Sequence, residues 1–296
     1  MKPENKRIGL IGVGLLGGAI AERLQQHGFV VSGFDLDRGR LDALEAMGGK
    51  ACRDADDVFT ACETVLLSLP TSEIVCELLS QDVTGVSGSL TIVDTTTGDP
   101  RQMTAFGESL LQRGIDYVEA NVAGSSEQLR DGRAMLLVGG EESTVARLEH
   151  LFASIADKHF HLGPVGSASR FKLVHNLILG LHRAVLAEGL TFADSLGFEP
   201  AVALEILRQT PAASAVMDTK GPKMVSADYE PQARLSQHLK DVRLILAEAD
   251  RVGTKIPLSE LHQALLQTAE QLGFGGADNS AVIEAFRPSR AESDEC

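Results

Sequence analysis

The start of the chain constrains it most. Arg7-Ile8-Gly9-Leu10-Ile11, a short apolar strand, runs into Gly12-Val13-Gly14-Leu15-Leu16-Gly17, and a helical pattern follows to Gln26, closed by His27-Gly28. A second apolar run from Phe29 to Phe34 then ends on Asp35. Each part has a physical task. Gly12 permits a tight turn, Gly14 lets the backbone approach a pyrophosphate, and Gly17 lets helix and strand pack closely. Val13, Leu15 and Leu16 complete the turn and open a helix whose unpaired N–H groups and positive dipole end suit phosphates. Asp35 stands about where an acid takes ribose hydroxyls. A glycine triplet alone is weak evidence. Strand, glycines, helix, second strand and terminal acid in register predict a dinucleotide-binding unit.

At 296 residues the chain has room for two domains, and 44% hydrophobic content with mixed charge predicts a soluble globular protein. No run of 18 apolar residues occurs, so no membrane span is expected. The polar start, Met1 to Lys6, meets the first strand at once and leaves no room for a signal peptide. Cys52, Cys62, Cys76 and Cys296 lack metal-like spacing and read as reduced thiols of a cytoplasmic protein. A net charge of −14 argues against nucleic acid, whose binders need basic surface. The tail Arg290 to Cys296 reads as disordered and is assigned no function.

From residue 7 to about 163, strand candidates at 7–11, 29–34, 64–69, 90–93, 115–119, 134–138 and 159–162, with a weaker one at 50–52, alternate with helical patterns such as 39–47, 72–79, 100–113 and 143–154. Asp99 followed by Pro100 marks one helix start. The alternation predicts an α/β fold: an N-terminal Rossmann domain, residues 1–164, with a doubly wound, mostly parallel sheet binding ligands beyond the carboxyl ends of its strands. After Gly163-Pro164-Val165-Gly166 the pattern becomes helical, at about 167–196, 200–209, 233–252, 257–272 and 279–286. Residues 165–296 are therefore expected to form an all-helical domain for substrate binding and oligomerisation. The long first helix, stopped at Gly197, is apolar on more than one face through Phe171, Val174, Ile178, Leu181, Val185, Phe192 and Leu196. Such a helix is expected to be buried between domains or subunits, or to be the central helix of its own domain.

Lys172 and Asn176 lie four apart on that helix, hence on one face. A partly desolvated lysine can serve as general acid or base, and the amide can orient it or hold a substrate oxygen. A snorkelling lysine with a neighbouring amide fits the spacing equally well.

Four separated motifs resemble the β-hydroxyacid dehydrogenases. They are Ile8 to Gly17, the segment Val93-Asp-Thr-Thr-Thr-Gly-Asp-Pro100, the segment Gly166-Ser-Ala-Ser-Arg-Phe-Lys-Leu-Val-His-Asn176, and the pairs Lys240-Asp241 and Asp278-Asn-Ser280. The resemblance covers Ile8 to about Phe286. It implies hydride exchange between a nicotinamide cofactor, NAD or NADP, and a small hydroxy acid or aldehyde. In it Lys172 is proton donor and acceptor, Asn176 positions the oxygen, Lys240 lies near the cofactor, and Ser68-Leu69-Pro70 and Thr97 line the nicotinamide ribose. Lys240-Asp241 also reads as a solvated surface pair.

Departures from the family pattern bear on the substrate. The segment Glu119-Ala120-Asn121-Val122-Ala123-Gly124-Ser125-Ser126 stands where the family has Asp-Ala-Pro-Val-Ser-Gly-Gly, so Ala123 lacks the serine hydroxyl. Asn121, Ala123, Gly124 and Ser125 remain the expected substrate contacts, with Ser125 or Ser126 supplying a displaced hydroxyl. His175 replaces a family asparagine, and Ala233 replaces an aromatic and widens the pocket. Asp35, with Asp37 beside it, predicts NAD over NADP, and Arg38 is the residue that could oppose this by reaching a 2′-phosphate. A homodimer or homotetramer is expected. An imine reductase and a non-catalytic dinucleotide-binding module are the rival readings.

Overall fold

The computed structural model describes residues 7–81 and 90–287. The expectations for the polar start, the C-terminal tail and Cys296 fall outside the described residues. The chain divides into two compact units between Lys172 and Leu173.

The first unit is built on eight strands: β1 (Arg7–Ile11), β2 (Val30–Phe34), β3 (Lys50–Ala51), β4 (Thr64–Leu67), β5 (Thr91–Asp94), β6 (Asp116–Ala123), β7 (Met135–Gly139) and β8 (Lys158–His161), ordered β3-β2-β1-β4-β5-β6-β7-β8. All neighbours pair in parallel except β6 and β7, which are antiparallel. Chain order reverses at β1, where β2 lies on one side and β4 on the other, and this is the switch point at which such sheets bind ligands.

Residue alternation along the strands separates two cores. Ile8 and Leu10 of β1 join Val31, Leu66, Val93 and Val118 on one face, packed by helices α1 (Leu15–Gln26) and α2 (Arg38–Ala46). Ile11, Val65, Leu67 and Ile92 face the other way, against α3 (Ala55–Ala61), α4 (Ser72–Gln81) and α5 (Pro100–Gln112). Leu10, Leu66 and Leu67 are completely buried, and each such side chain contributes about 1.5–3 kcal/mol. Asp99 caps α5 by accepting a bond from Arg101 N at 2.8 Å, with Pro100 at its first turn.

Two local expectations change. The strand expected at 115–119 continues to Ala123, because β7 pairs with it as far as Ala123↔Met135. Asn121 to Ala123 are thus strand rather than loop. After α6 (Ser126–Arg130), the helix expected at 143–154 is two helices, α7 (Glu142–Arg147) and α8 (Glu149–Ile155), broken at Leu148. Beyond β8 a 29-residue helix, α9 (Ser167–Ser195), crosses from the first unit into the second.

The second unit continues with α10 (Pro200–Arg208), α11 (Ala215–Thr219), α12 (Gly221–Ser226), α13 (Leu235–Arg251) and α14 (Pro257–Ala269), then a π-type turn at Glu270–Phe274 and a 3-10 helix at Asn279–Ala285. Gly197, with φ +85°, ends α9 as expected of a C-terminal glycine, and Phe198 N reaches back to Ala193 O at 3.0 Å. Leu186 and Leu190 of α9 pack with Leu204, Met224, Leu239, Val242 and Leu266 in the core. The other apolar side of α9 is exposed: Phe171, Val174, Ile178, Val185, Phe192 and Leu196 are all half or more open to solvent in the single chain, or nearly so. No helix among the described residues is long and apolar enough to cross a membrane.

Candidate active site

The glycine turn shows why each glycine is needed. Gly12 adopts φ +92°, and a Cβ there would lie 2.3 Å from Ser68 O. At Gly17 a Cβ would lie 1.9 Å from Gly12 O, so helix and turn touch backbone to backbone. Gly14 differs. Its nearest neighbour in the Cβ direction is the tip of a flexible side chain, Arg40 Nη1 at 3.6 Å, so no backbone crowds it. Gly14 is also the N-cap of α1, and no side chain caps that helix. N–H groups with no side-chain cap, beside a glycine that no backbone crowds, fit a dinucleotide diphosphate.

Asp35 closes β2 as expected. Its Oδ2 accepts Val13 N at 2.7 Å and its Oδ1 accepts Asp37 N at 2.9 Å, so the acid ties the second strand to the glycine turn. Arg38 does not reach this site: it pairs with Asp42 at 2.9 Å and Glu45 at 3.1 Å along the exposed side of α2. Arg40, two residues on, takes that place, with Nη1 at 3.3 and 3.4 Å from the Asp35 oxygens. Arg38 opens α2 as expected, and the arginine that faces the acid is Arg40, two residues further along the helix.

On the neighbouring strands, Ser68-Leu69-Pro70 leaves β4 directly beside the turn: Ser68 N donates to Ile11 O at 2.9 Å. Leu69 N donates to Thr96 Oγ1 at 3.2 Å. Thr96 is buried and structural, whereas Thr97 beside it is half-buried. Asn121 is fully buried in β6, where Nδ2 donates to Thr96 O at 2.7 Å and Oδ1 has no hydrogen-bond partner. Ala123 ends β6 in a small apolar cluster with Leu137 and Ala168. A Cβ on Gly124 would press on Ala134 Cβ at 2.9 Å. Ser125 caps α6, its Oγ accepting Gln128 N at 3.2 Å while Gln128 Oε1 accepts Ser125 N at 2.9 Å. That capping box uses the hydroxyl oxygen and leaves its hydrogen as a donor.

The start of α9 is held on β6 at two points. Glu119 Oε2 accepts Gly166 N at 2.6 Å, and Oε1 accepts the Ser169 hydroxyl. Just under one turn past Ser169, Lys172 Nζ donates to Val122 O at 2.6 Å. Lys172 is 7% exposed, so the ammonium is buried and its position is set by the sheet. Burial pushes the Glu119 carboxyl up to about 6, against the pull of the Ser169 and Gly166 bonds. In register beside it on β5, Asp94 is also pushed up to about 6 by burial, opposed by bonds from Thr96 N and the Tyr117 hydroxyl. Glu119 was not singled out from the sequence; an acid inside an apolar strand run was the available signal.

In the second unit, Asn176 lies one turn beyond Lys172 on α9 and is 7% exposed. Its Nδ2 donates to Asp241 Oδ2 at 2.9 Å, and Lys240 Nζ lies 3.1 Å from Asp241 Oδ1. The Lys240-Asp241 pair is therefore no solvated surface pair, since Asp241 is buried. His175, next to Asn176 in sequence, is half-buried. The Asp278 motif is a structural knot: its carboxylate takes Lys220 Nζ at 2.8 Å, Gln232 N at 3.0 Å, Ala233 N at 3.2 Å and Ser280 N at 3.1 Å. No cluster of three His, Cys, Asp or Glu able to hold a metal occurs among the described residues.

Comparison with known proteins matches both units. Residues 7–163 match the family described as the NAD-binding domain of 6-phosphogluconate dehydrogenase, and residues 166–286 match that of NADP-dependent 3-hydroxyisobutyrate dehydrogenase. Glyoxylate/succinic semialdehyde reductase 1 of Arabidopsis thaliana is 29% identical, over 96% of this chain and 99% of its own length. The crystal structure of a Salmonella typhimurium 3-hydroxyisobutyrate dehydrogenase superimposes with a TM-score of 0.87 at 21% identity, covering 94% of this chain and 99% of that one. A Pseudomonas imine reductase superimposes less well, with a TM-score of 0.67 at 19% identity, covering 96% and 100%.

Proposed function

The chain belongs to the β-hydroxyacid dehydrogenase family, and from that premise we propose that it is an NAD(P)-dependent oxidoreductase interconverting a small β-hydroxy acid and its semialdehyde or keto form. One observation carries the reading: a buried lysine, Lys172, is held by the strand Val122 belongs to, in the same unit as the glycine turn, with a buried amide one turn further on. The division of labour proposed is a cofactor domain over residues 1–164 and a helical domain for substrate and oligomerisation over residues 165–296.

Gly12 to Gly17 would hold the diphosphate, Asp35 the adenosine ribose, and Ser68-Leu69-Pro70 with Thr97 the nicotinamide ribose. When bound, the nicotinamide supplies or receives the hydride. Lys172 Nζ gives its proton to the carbonyl oxygen as charge develops there, and in the reverse direction takes the hydroxyl proton. Asn176 donates an amide N–H to the same oxygen. Asn121, Gly124 and Ser125 would contact the substrate, with a hydroxyl missing at Ala123, and Lys240 would lie near the cofactor.

NAD is the proposed preference, because Asp35 is anionic where a 2′-phosphate would come. Arg40 rather than Arg38 is the counterweight. The exposed stripe Phe171, Val174, Ile178, Val185, Phe192 and Leu196 on α9 supports a homodimer or homotetramer, since a monomer would leave that apolar surface in water. A cytoplasmic setting rests on the cysteines: Cys52 and Cys62 are buried free thiols, both raised by burial. The charge of −14 supports a small-molecule partner over nucleic acid. The test is turnover of NAD and NADP against a panel of small β-hydroxy acids and semialdehydes, with cyclic imines alongside. Activity with the hydroxy acids supports the proposal; activity with imines alone, or with nothing, overturns it.

A further inference from the structure

Within the first unit, the carboxyl ends of β4, β5 and β6 are joined at one residue, Thr96. Thr95 N and the Thr95 hydroxyl both donate to Leu67 O, at 2.9 and 2.8 Å, where β4 ends. Leu69 N then donates to Thr96 Oγ1 at 3.2 Å, and Thr96 N donates to Asp94 Oδ1 at 2.8 Å. From the other side, Asn121 Nδ2 donates to Thr96 O at 2.7 Å. Thr96 is 3% exposed and Asn121 is completely buried, so water does not compete for these bonds. The next residue of β6, Val122, holds Lys172 Nζ on its carbonyl at 2.6 Å. An unbroken path of backbone and hydrogen bonds thus runs from the segment after β4, through the segment after β5, to the carbonyl that seats the lysine.

The Asn121 side chain supplies the link between β5 and β6 where the strands stop supplying it. The β5–β6 ladder ends at Asp94↔Glu119, and two residues further along both strands the amide takes over. Its orientation is fixed by this bond: with its two ends exchanged, Oδ1 would face Thr96 O, acceptor against acceptor. As placed, Oδ1 is buried with no hydrogen-bond partner, which lowers stability. An apolar side chain would avoid that unpaired oxygen. The family pattern has proline at this place, and proline has no side-chain donor. The clamp on Thr96 O therefore belongs to this chain and not to the pattern it resembles.

We propose that Asn121 is a positioning residue: by clamping Thr96 O it fixes the Leu69 and Thr97 segments against the β6 carbonyl that seats Lys172, and so sets the gap between the nicotinamide site and the proton donor. This rests on the reading of Ser68-Leu69-Pro70, Thr97 and Lys172 given above. In the reduction, hydride goes to the carbonyl carbon and the Lys172 proton to the oxygen bonded to it. An error in the gap misplaces one of them whenever the other is right. The glycine turn and Asp35 grip the far end of the dinucleotide without Asn121, so cofactor affinity survives loss of the clamp. The task is separate from the substrate contact expected of the same residue. A lost contact raises KM, whereas a lost clamp slows transfer at saturating substrate.

The test compares wild type, Asn121→Leu, Thr96→Val and Thr96→Ser in the full chain. It reads hydrogen exchange at the Leu69 amide without cofactor, the affinity and emission lifetime of bound NADH, and the single-turnover rate of hydride transfer at saturating hydroxy acid. Thr96→Ser keeps the Oγ acceptor and restores wild-type values. Asn121→Leu and Thr96→Val speed exchange at Leu69, keep NADH affinity within a few-fold, change its emission lifetime, and slow hydride transfer by about ten- to a hundredfold. Should Asn121→Leu not fold, Thr96→Val, which takes away the acceptor of Leu69 N, carries the same expectation. An unmoved transfer rate or an unmoved Leu69 amide overturns the proposal, whatever happens to KM or to the melting temperature. A Lys172→Ala enzyme that turns over normally overturns the active-site reading instead, and Leu69 exchange with the NADH lifetime still reports whether Asn121 governs the ends of β4 and β5.

Discussion

Asp94→Asn isolates the cost of a buried charge. Asp94 is 1% exposed, with Thr96 N at 2.8 Å on Oδ1 and the Tyr117 hydroxyl at 2.7 Å on Oδ2. Burial outweighs both bonds and raises the carboxyl from 3.8 to about 6. The folded protein therefore holds this proton more tightly than the unfolded chain does. The stability from the protonated form is complete below about pH 4 and is lost as pH rises through about 6. A rise of about two units corresponds to about 3 kcal/mol over the whole window, roughly half of it between about pH 5 and about pH 8. The amide carries no such charge, but it costs about 1 kcal/mol, because one of its two contacts becomes donor against donor. Relief of Glu119, whose carboxyl Asp94 also raises, adds in the same direction. The expected result is a melting-temperature gap, variant minus wild type, that grows by about 3–6 °C from about pH 5 to about pH 8. Circular dichroism is the suitable probe, since the chain has no tryptophan. Parallel curves for the two proteins would refute the reasoning.

Asp35→Ser is expected to narrow an NAD preference of roughly ten- to a hundredfold, measured as kcat/KM with each cofactor. Arg40→Ala is expected to widen it, because the Asp35 carboxylate loses its cation; equal preferences in both variants would remove Asp35 from the account. Val185→Glu combined with Phe192→Glu places charges on the exposed stripe of α9 and is expected to split the assembly into 31.5 kDa chains in sedimentation. An unchanged sedimentation coefficient would move the interface elsewhere.

Local demands were the most legible in the sequence. Gly12 and Gly17 are dictated by contacts with backbone a few residues or one strand away, so their spacing carries the information. The Asp99-Pro100 start of α5 and the Gly197 end of α9 are likewise local. What depends on pairing across the sheet was harder to see. Asn121 to Ala123 read as a loop by family pattern, and only the antiparallel partner β7 makes them strand. Arg38 and Arg40 lie two residues apart, and which of them meets Asp35 is open until α2 is placed. The packing of Arg183, His238 and His262 against one another was invisible, since they come from three helices and none carries a motif. The apolar positions expected along α9 fell, Leu181 apart, on its exposed side, because periodicity alone does not say which of two apolar faces packs within the chain.

The central claim is that Lys172 moves the proton at the substrate oxygen. Lys172→Ala, assayed with the best substrate of the hydroxy-acid panel and with cofactor binding measured on the same preparation, tests it most directly. The account predicts a loss of about 10²–10⁴-fold in kcat with cofactor affinity nearly unchanged, since Lys172, held on Val122 O, acts on the substrate oxygen rather than the dinucleotide. Turnover within a few-fold of wild type, or loss of cofactor binding in step with loss of turnover, would contradict it.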